Sequence, residues 1–243
     1  MDGKYVTTMR DLDLFQLALG LESPWSVSSS SFDAEQKRLD IHIDFAPGSV
    51  FCCPKCGRSG LKAYDKSEST WRHLNFFQHE AYLTARVPRV SCPDCGILKL
   101  SKLPWARRES GFSLLFEAMV MVMAKSMPVN VIASIIDEHD TRIWRIITHY
   151  VEQARSEDDH SGVRTVGVDE TASKRGHNYV SLFVDLAVPK VLFVTDGKDA
   201  ATVKRFRDDL TAHRGDPAQI SEFCSDMSPA FIKGVTDFFQ THT

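Results

Sequence analysis

The stretch Thr165-Val-Gly-Val-Asp-Glu-Thr171 decides how this chain is read. It is a short β-rich run that ends in two adjacent carboxylates. A second strand-like run, Gln219-Ile-Ser-Glu-Phe-Cys-Ser-Asp226, ends the same way. The pattern predicts strands over 164–169, 179–186, 190–195 and 219–225, and helices over 200–213 and 229–239. Asn178 and the turn Val188-Pro189-Lys190 favour hairpins among the first three strands, and helix 200–213 is long enough to carry a crossover to a parallel fourth. If the first and fourth strands pair, Asp169 and Asp226 stand side by side at one edge of a sheet. Acids so placed hold divalent cations, and metal-assisted phosphoryl transfer is the chemistry that needs them. Asp185 competes for that role but ends an antiparallel strand, and Asp196 and Asp199 fall on a loop before the helix.

The remaining composition bounds the class. Apolar residues make up 43% and charged residues 25%, as in soluble globular chains. No apolar run approaches the ~18 residues of a membrane span, and residues 1–10 lack the features of a secretory signal. A cytoplasmic location is therefore expected. The net charge of −3 argues nothing about nucleic acid, but its distribution does. Residues 52–110 carry 11 Lys/Arg against 5 Asp/Glu, whereas residues 1–51 and 111–160 each carry 4 against 8. The basic excess falls on the cysteine-bearing segment, where a DNA-contacting module needs it.

Cys53-Pro-Lys-Cys56-Gly57 and Cys92-Pro-Asp-Cys95-Gly96 repeat one unit. Each tight turn aims two sulfurs at one point and the glycine lets the chain turn away. Together they predict a structural four-cysteine site for Zn2+, in preference to a redox dithiol. Cys52 is expected to be a spare thiol, and His73 and His79 to be packing or surface residues. Residues 37–45 and 82–90 alternate as strands, with a short helix expected over 9–19 and a loop at Pro24 and Ser28–Ser31. Arg72, Arg86, Arg89 and Lys99 are candidates to face phosphates.

Beyond a linker at 103–108 the period becomes helical. Helices are expected over 113–125, 129–138 and from Asp140. They would bury Leu115, Met119, Val122 and Met123; then Ile132, Ile135 and Ile136; then Ile143, Trp144, Ile147 and Val151. Arg142, Arg145 and His149 would lie on the opposite stripe of the third helix. A tight turn between two short helices fits a helix-turn-helix, with a plain three-helix bundle as the alternative. The acidic run 156–161 reads as a linker. The domains expected are 1–51 (helix and strand segment), 52–103 (zinc-binding), 104–155 (helix-turn-helix) and 162–243. The last, three antiparallel strands followed by a helix and a parallel strand, is the opening half of a ribonuclease H-like fold. The fold class is multidomain α+β.

In order along the chain come the paired C-P-x-C-G units bracketing Trp71-Arg-His-Leu74 and Arg86-Val-Pro-Arg-Val-Ser-Cys92, then Leu103-Pro-Trp105 and the helical segment. Gly167-Val-Asp-Glu170, Lys174-Arg-Gly-His177 and Ser225-Asp-Met-Ser228 follow. This set resembles the ISL3 family of bacterial insertion-sequence transposases. The resemblance implies a DDE enzyme acting on double-stranded DNA at the terminal inverted repeats of its element, as a homo-oligomer at the nucleoid. It implies Asp169 and Asp226 as the first two catalytic acids, holding two Mg2+ in the complete enzyme. Lys174, Arg175 and His177, on the turn after the first strand, are candidates to hold DNA phosphates, with a plain exposed turn as the alternative. The family's third acid, a Glu on a later helix, has no counterpart in these residues. The chain therefore reads as a truncated transposase, inactive alone, with repression of transposition through DNA binding as the alternative role.

Overall fold

The computed structural model describes residues 10–174 and 178–239. The chain divides into two compact units, Met1–Thr148 and His149–Thr243, each with its own hydrophobic core. Among the described residues there are two sheets and six α-helices, a mixed α+β class. No described helix is long and apolar enough to cross a membrane.

The first unit opens with α1 (Asp11–Ala18). Its six strands are β1 (Trp25–Asp33), β2 (Arg38–Phe45), β3 (Val50–Phe51), β4 (Leu61–Phe76), β5 (His79–Cys92) and β6 (Gly96–Lys99). Their spatial order is β1-β2-β5-β4-β3, with β6 also on β5. β5 is central because Ala81, Leu83, Ala85, Val87 and Val90 are all buried. β4 runs antiparallel along its length, β2 runs parallel to its first half, and β6 pairs with Arg89–Cys92. Residues 1–51 and 52–103 thus contribute strands to one sheet and side chains to one core. The serines at 28–31, expected in a loop, lie in β1, which pairs with β2 through a bulge between Val27 and Ser29. Trp25 and Val27 turn into the core while most of the following residues stay exposed. An outer strand tolerates that polar face, and pairing overrides the weak strand preference of serine.

The segment 103–108 is a clasp where a linker was expected. Trp105 is buried and meets Trp25 and Trp71 edge-to-face, at centroid separations of 4.9 and 5.7 Å. Arg107 Nε reaches the fully buried Glu117 carboxylate at 2.9 Å. Three helices follow: α2 (Leu114–Ala124), α3 (Val129–Ile136) and α4 (Asp140–Ser156). Ser113 caps α2 by accepting from the Phe116 N–H at 3.2 Å. α3 stops at Asp137, in the left-handed region at φ 53°, and the chain turns straight into α4.

The helices form where expected, and Ile132, Ile136 and Ile143 are inward as expected, but several other positions differ. Phe116 and Val120, Ile132 and Ile136, and Ile143 and Ile146 are buried, whereas Leu115, Val122, Ile135, Trp144 and Val151 are exposed. The α2 sequence is apolar nearly all round, so hydrophobic spacing alone does not fix its phase.

The second unit contains β7 (Thr165–Lys174), β8 (Asn178–Asp185), β9 (Lys190–Asp196), α5 (Ala200–Ala212), a 3-10 turn at Pro217–Gln219, β10 (Glu222–Ser225) and α6 (Pro229–Phe238). Strand order is β10-β7-β8-β9. β7–β8 and β8–β9 are antiparallel, and β10 joins β7 in parallel. This is the expected topology, with two differences in extent: β7 does not end at the carboxylates but continues to Lys174, held by its pairing with β8, and the fourth strand starts at Glu222, Gln219 belonging to the 3-10 turn. The core joins Val166, Val168 and Phe183 of the sheet to Val203, Phe206 and Phe231 of the helices. Phe183 and Phe206 stack at 4.4 Å.

Candidate metal centres and nucleic-acid interface

The two cysteine units meet at one end of the β4–β5 ribbon. The sulfurs of Cys53, Cys56, Cys92 and Cys95 all lie within 4.8 Å of one another, with Cys56 and Cys92 at 3.6 Å. Tetrahedral ligation at Zn–S ≈ 2.3 Å requires sulfurs about 3.8 Å apart. Gly57 and Gly96 follow each unit at φ +77° and +78°, where a side chain would be strained. Arg58 bridges to Asp94 across the two units at 2.6 Å.

The electrostatics fit a cation as well. The backbone N–H groups of Cys56 and Lys55, in the main, lower the Cys53 thiol to about 6. Hydrogen bonding with Cys56, then burial and the other sulfurs, pushes Cys95 up to about 12. One thiolate is easily formed here and further ones oppose each other, which a dication resolves. Cys52 is exposed beside the cluster and outside it. His73 is no ligand. Its Nδ1 lies 2.7 Å from Ser113 Oγ, and burial, with Arg72 adding, lowers its pKa to about 4. His79 packs edge-on to Phe32 at 4.7 Å.

The acidic pair lies in the second unit. The last pair of the parallel ladder is Ser225↔Val168, so the next residues are Asp226 and Asp169. Neighbouring strands lie about 4.8 Å apart. Val166, Val168 and Phe223 face the helices, and strand alternation puts Asp169 on the other face. Both acids are exposed. Asp169 Oδ1 accepts from the Glu170 N–H at 2.7 Å and Asp226 Oδ1 from the Ser228 N–H at 3.1 Å, which fixes each carboxylate locally. Gly167 permits the tight β7–β8 approach, since a Cβ there would meet Leu186 Cδ2 at 2.9 Å.

The competing acids are engaged elsewhere. Asp185 pairs with Val166 at the other end of the ladder and caps the turn through Ala187 N–H. Asp199 caps α5 by accepting from Thr202 N–H at 3.1 Å. Glu170 is ion-paired with Lys198 at 3.2 Å. Lys198, which also lies over the Tyr179 ring, brings a positive charge close to the acid-bearing strand. The sequence reading missed it, although its position in the turn after β9 was visible.

The candidate DNA contacts separate sharply. Arg72 is 2% exposed and is corrected to a structural role. Its guanidinium donates to the carbonyls of His73 and Ala81 and to Asn75 Oδ1, and lies over the Tyr82 and Phe116 rings. Trp71 beside it is buried too. Arg86 and Arg89 are half exposed on β5, paired with Asp44 and Asp65. Lys99 Nζ donates to Ser69 Oγ at 2.9 Å. On α4, Arg142 is drawn back onto Glu138 and lies 4.2 Å over Phe112. Arg145 is exposed, with no hydrogen-bond or ion-pair partner among the described residues. Arg175, His177 and the Lys174 side chain lie outside the described residues.

Three family models match successive segments. The zinc-finger of transposases IS204/IS1001/IS1096/IS1165 matches residues 49–95, the helix-turn-helix domain of transposase family ISL3 matches 101–151, and the ISL3 DDE transposase domain matches 166–242. Among curated proteins, the chain is 28% identical over 241 residues to the transposase for insertion sequence element IS1557, in two strains of Mycobacterium tuberculosis. That alignment covers 94% of this chain and 52% of the relative. It is 22% identical over 195 residues to the transposase for element IS1001 of Bordetella parapertussis, covering 80% of this chain and 47% of that one. The chain spans about half the length of the curated relatives it matches.

Proposed function

This chain belongs, module by module, to the ISL3 transposase family, and on that premise we propose that it binds the terminal inverted repeats of an insertion sequence and contributes Asp169 and Asp226 to their cleavage and transfer. The observation that supports the reading is the parallel β7–β10 register, whose last pair, Ser225↔Val168, immediately precedes the exposed Asp226 and Asp169. Carboxylate oxygens suit Mg2+, and divalent cations held there would activate a hydroxyl nucleophile and stabilise the leaving oxygen of a phosphodiester. The protein's part is to fix the two carboxylates, through Glu170 and Ser228 N–H groups, and to hold DNA against them. Arg145 on the second helix of the helix-turn-helix would read base edges, with Arg142 beside it. Arg86 and Arg89, themselves half exposed, would bind phosphates by exchanging their carboxylate partners; the more exposed pair, Arg89 with Asp65, holds by only ~0–1 kcal/mol. Four thiolates would hold one structural Zn2+. Synapsis of two element ends favours a homo-oligomer, working on DNA in the cytoplasm at the nucleoid.

A second reading, DNA binding that represses transposition without cleavage, is favoured by one observation. Among the described residues no third His, Cys, Asp or Glu closes on Asp169 and Asp226. Nicking of a duplex carrying the element's end, in Mg2+ or Mn2+, separates the readings. The 243-residue polypeptide is expected to bind that duplex without nicking it. A chain extended to the relatives' length is expected to nick, and to lose nicking with Asp169→Asn or Asp226→Asn. Nicking that survives both changes overturns the assignment of the acids. Binding without nicking by the extended chain leaves the repressor reading.

A further inference from the structure

A second side-chain cluster lies apart from the cysteines and the acidic pair. Asp209 and His213 are four residues apart at the end of α5, so both side chains project from one face. His160, in the segment that leads from α4 into β7, lies against them. Each offers one ligand atom, and these atoms are within 4.8 Å of one another. The imidazole rings are 5.1 Å apart.

His160 is what needs explaining. It is 1% exposed, and neither ring nitrogen has a hydrogen-bond partner. A buried polar group left unpaired costs ~1–3 kcal/mol. The nearest carboxylate contact to Nε2, Asp158, is at 3.9 Å, beyond hydrogen-bond range. Its partners are otherwise in place. The His160 N–H donates to His213 O at 2.8 Å, so the backbone sets the ring's position. His213 Nδ1 lies 2.8 Å from Asp209 O, so it donates there and leaves Nε2 with a free lone pair. Arg155 Nη2 holds both Asp209 oxygens, at 2.7 and 2.8 Å, while each keeps a lone pair to spare.

We propose that His160, Asp209 and His213 form a second divalent-cation site of the Zn2+ class, which fastens the entry to β7 onto the end of α5. Two neutral imidazoles and a carboxylate select zinc-like ions over Mg2+ or Ca2+. The Asp209 and His213 side chains keep 16% and 17% of their exposure, which leaves a way in and room for water as fourth ligand. Lys190 neutralises Asp158 alongside. The Arg155 charge weakens the site, so its affinity is expected in the micromolar range, below that of four thiolates.

The test is calorimetric titration of ZnCl2 into the full 243-residue chain. The cysteine site is loaded beforehand, and Asp169→Asn with Asp226→Asn silences the acidic pair. One further equivalent per chain is expected, lost in both His160→Gln and His213→Gln while the first zinc is retained. His213 is partly exposed, so its variant decides the matter should the His160 variant fail to fold. Absence of a second equivalent, or one that survives His213→Gln, overturns the proposal.

Discussion

Arg72 and Arg145 carry the same charge and take opposite roles, and burial alone separates them. A buried guanidinium must place its donors inside the protein, and Arg72 sets Nη1 and Nη2 on two carbonyls and an amide oxygen and lies over two rings, with Nε left unpaired. Nothing in the run Trp71-Arg-His-Leu74 announces this, because Arg72 owes its burial to Phe116 and Tyr82, which lie far along the chain. Among the described residues Arg145 has no competing partner, so a base edge or phosphate would meet a free fork of donors. Arg145→Ala is expected to weaken binding to the element's end by ~1–3 kcal/mol and to random duplex by much less. Gel-shift titrations on both DNAs at fixed salt check this, and equal losses would reassign Arg145 to the backbone. The same comparison on Arg142→Ala is less clean, since Arg142 also holds Glu138. The clustering of the four cysteines was legible because their spacing in two tight turns aims the sulfurs at one point. The strand ends that carry Asp169 and Asp226 were legible only through topology, once a parallel partner was assigned to the first strand.

Elements were more legible than the faces they bury. Strand alternation and the turn at Val188-Pro189 were enough to order β7, β8 and β9, and the amphipathic α5 showed itself by period. β1 was not legible, since a run of serines has no strand signal apart from the neighbour it pairs with. Ile132, Ile136 and Ile143 were read correctly as inward, but Leu115, Val122, Ile135, Trp144 and Val151 were not, because apolar residues occur on more than one side of α2, α3 and α4, so partners rather than pattern choose the phase. One contact between elements was invisible in sequence: α6 crosses α5 at Gly234. A Cβ there would lie 2.7 Å from Val203 Cγ2 and 3.2 Å from the Ala200 Cα, and backbone cannot step aside as a side chain can. Gly234→Val is therefore expected to destabilise the second unit by ~1–3 kcal/mol. Urea unfolding followed by far-UV circular dichroism measures it, and a shift below a few tenths would mean that the helices slide apart freely.

At the scale of the whole molecule, the two units differ in what holds them. All four tryptophans, Trp25, Trp71, Trp105 and Trp144, belong to the first, so indole emission reports on that unit alone. Trp25 packs against Trp105 and against Phe51, two residues before Cys53. A bound Zn2+ adds folding free energy on the order of 10 kcal/mol in small zinc-binding modules. Chelation under reducing conditions is therefore expected to shift the emission to the red. Unchanged emission after complete zinc removal would show that the tryptophan core stands without the metal. The second unit holds its acids by different means, and the order of folding events follows from its topology. β7, β8 and β9 are joined by hairpins and can zip locally on a microsecond scale. β10 reaches β7 only after a loop of roughly 57 residues has closed, a step that chain entropy delays. β10 is also short and, among the described residues, has a neighbour on one side only. The β10 end that carries Asp226 therefore comes to stand beside β7 last during folding, and when the unit loosens it parts first, which leaves the proposed acidic pair open to adjustment by whatever covers that strand's outer edge.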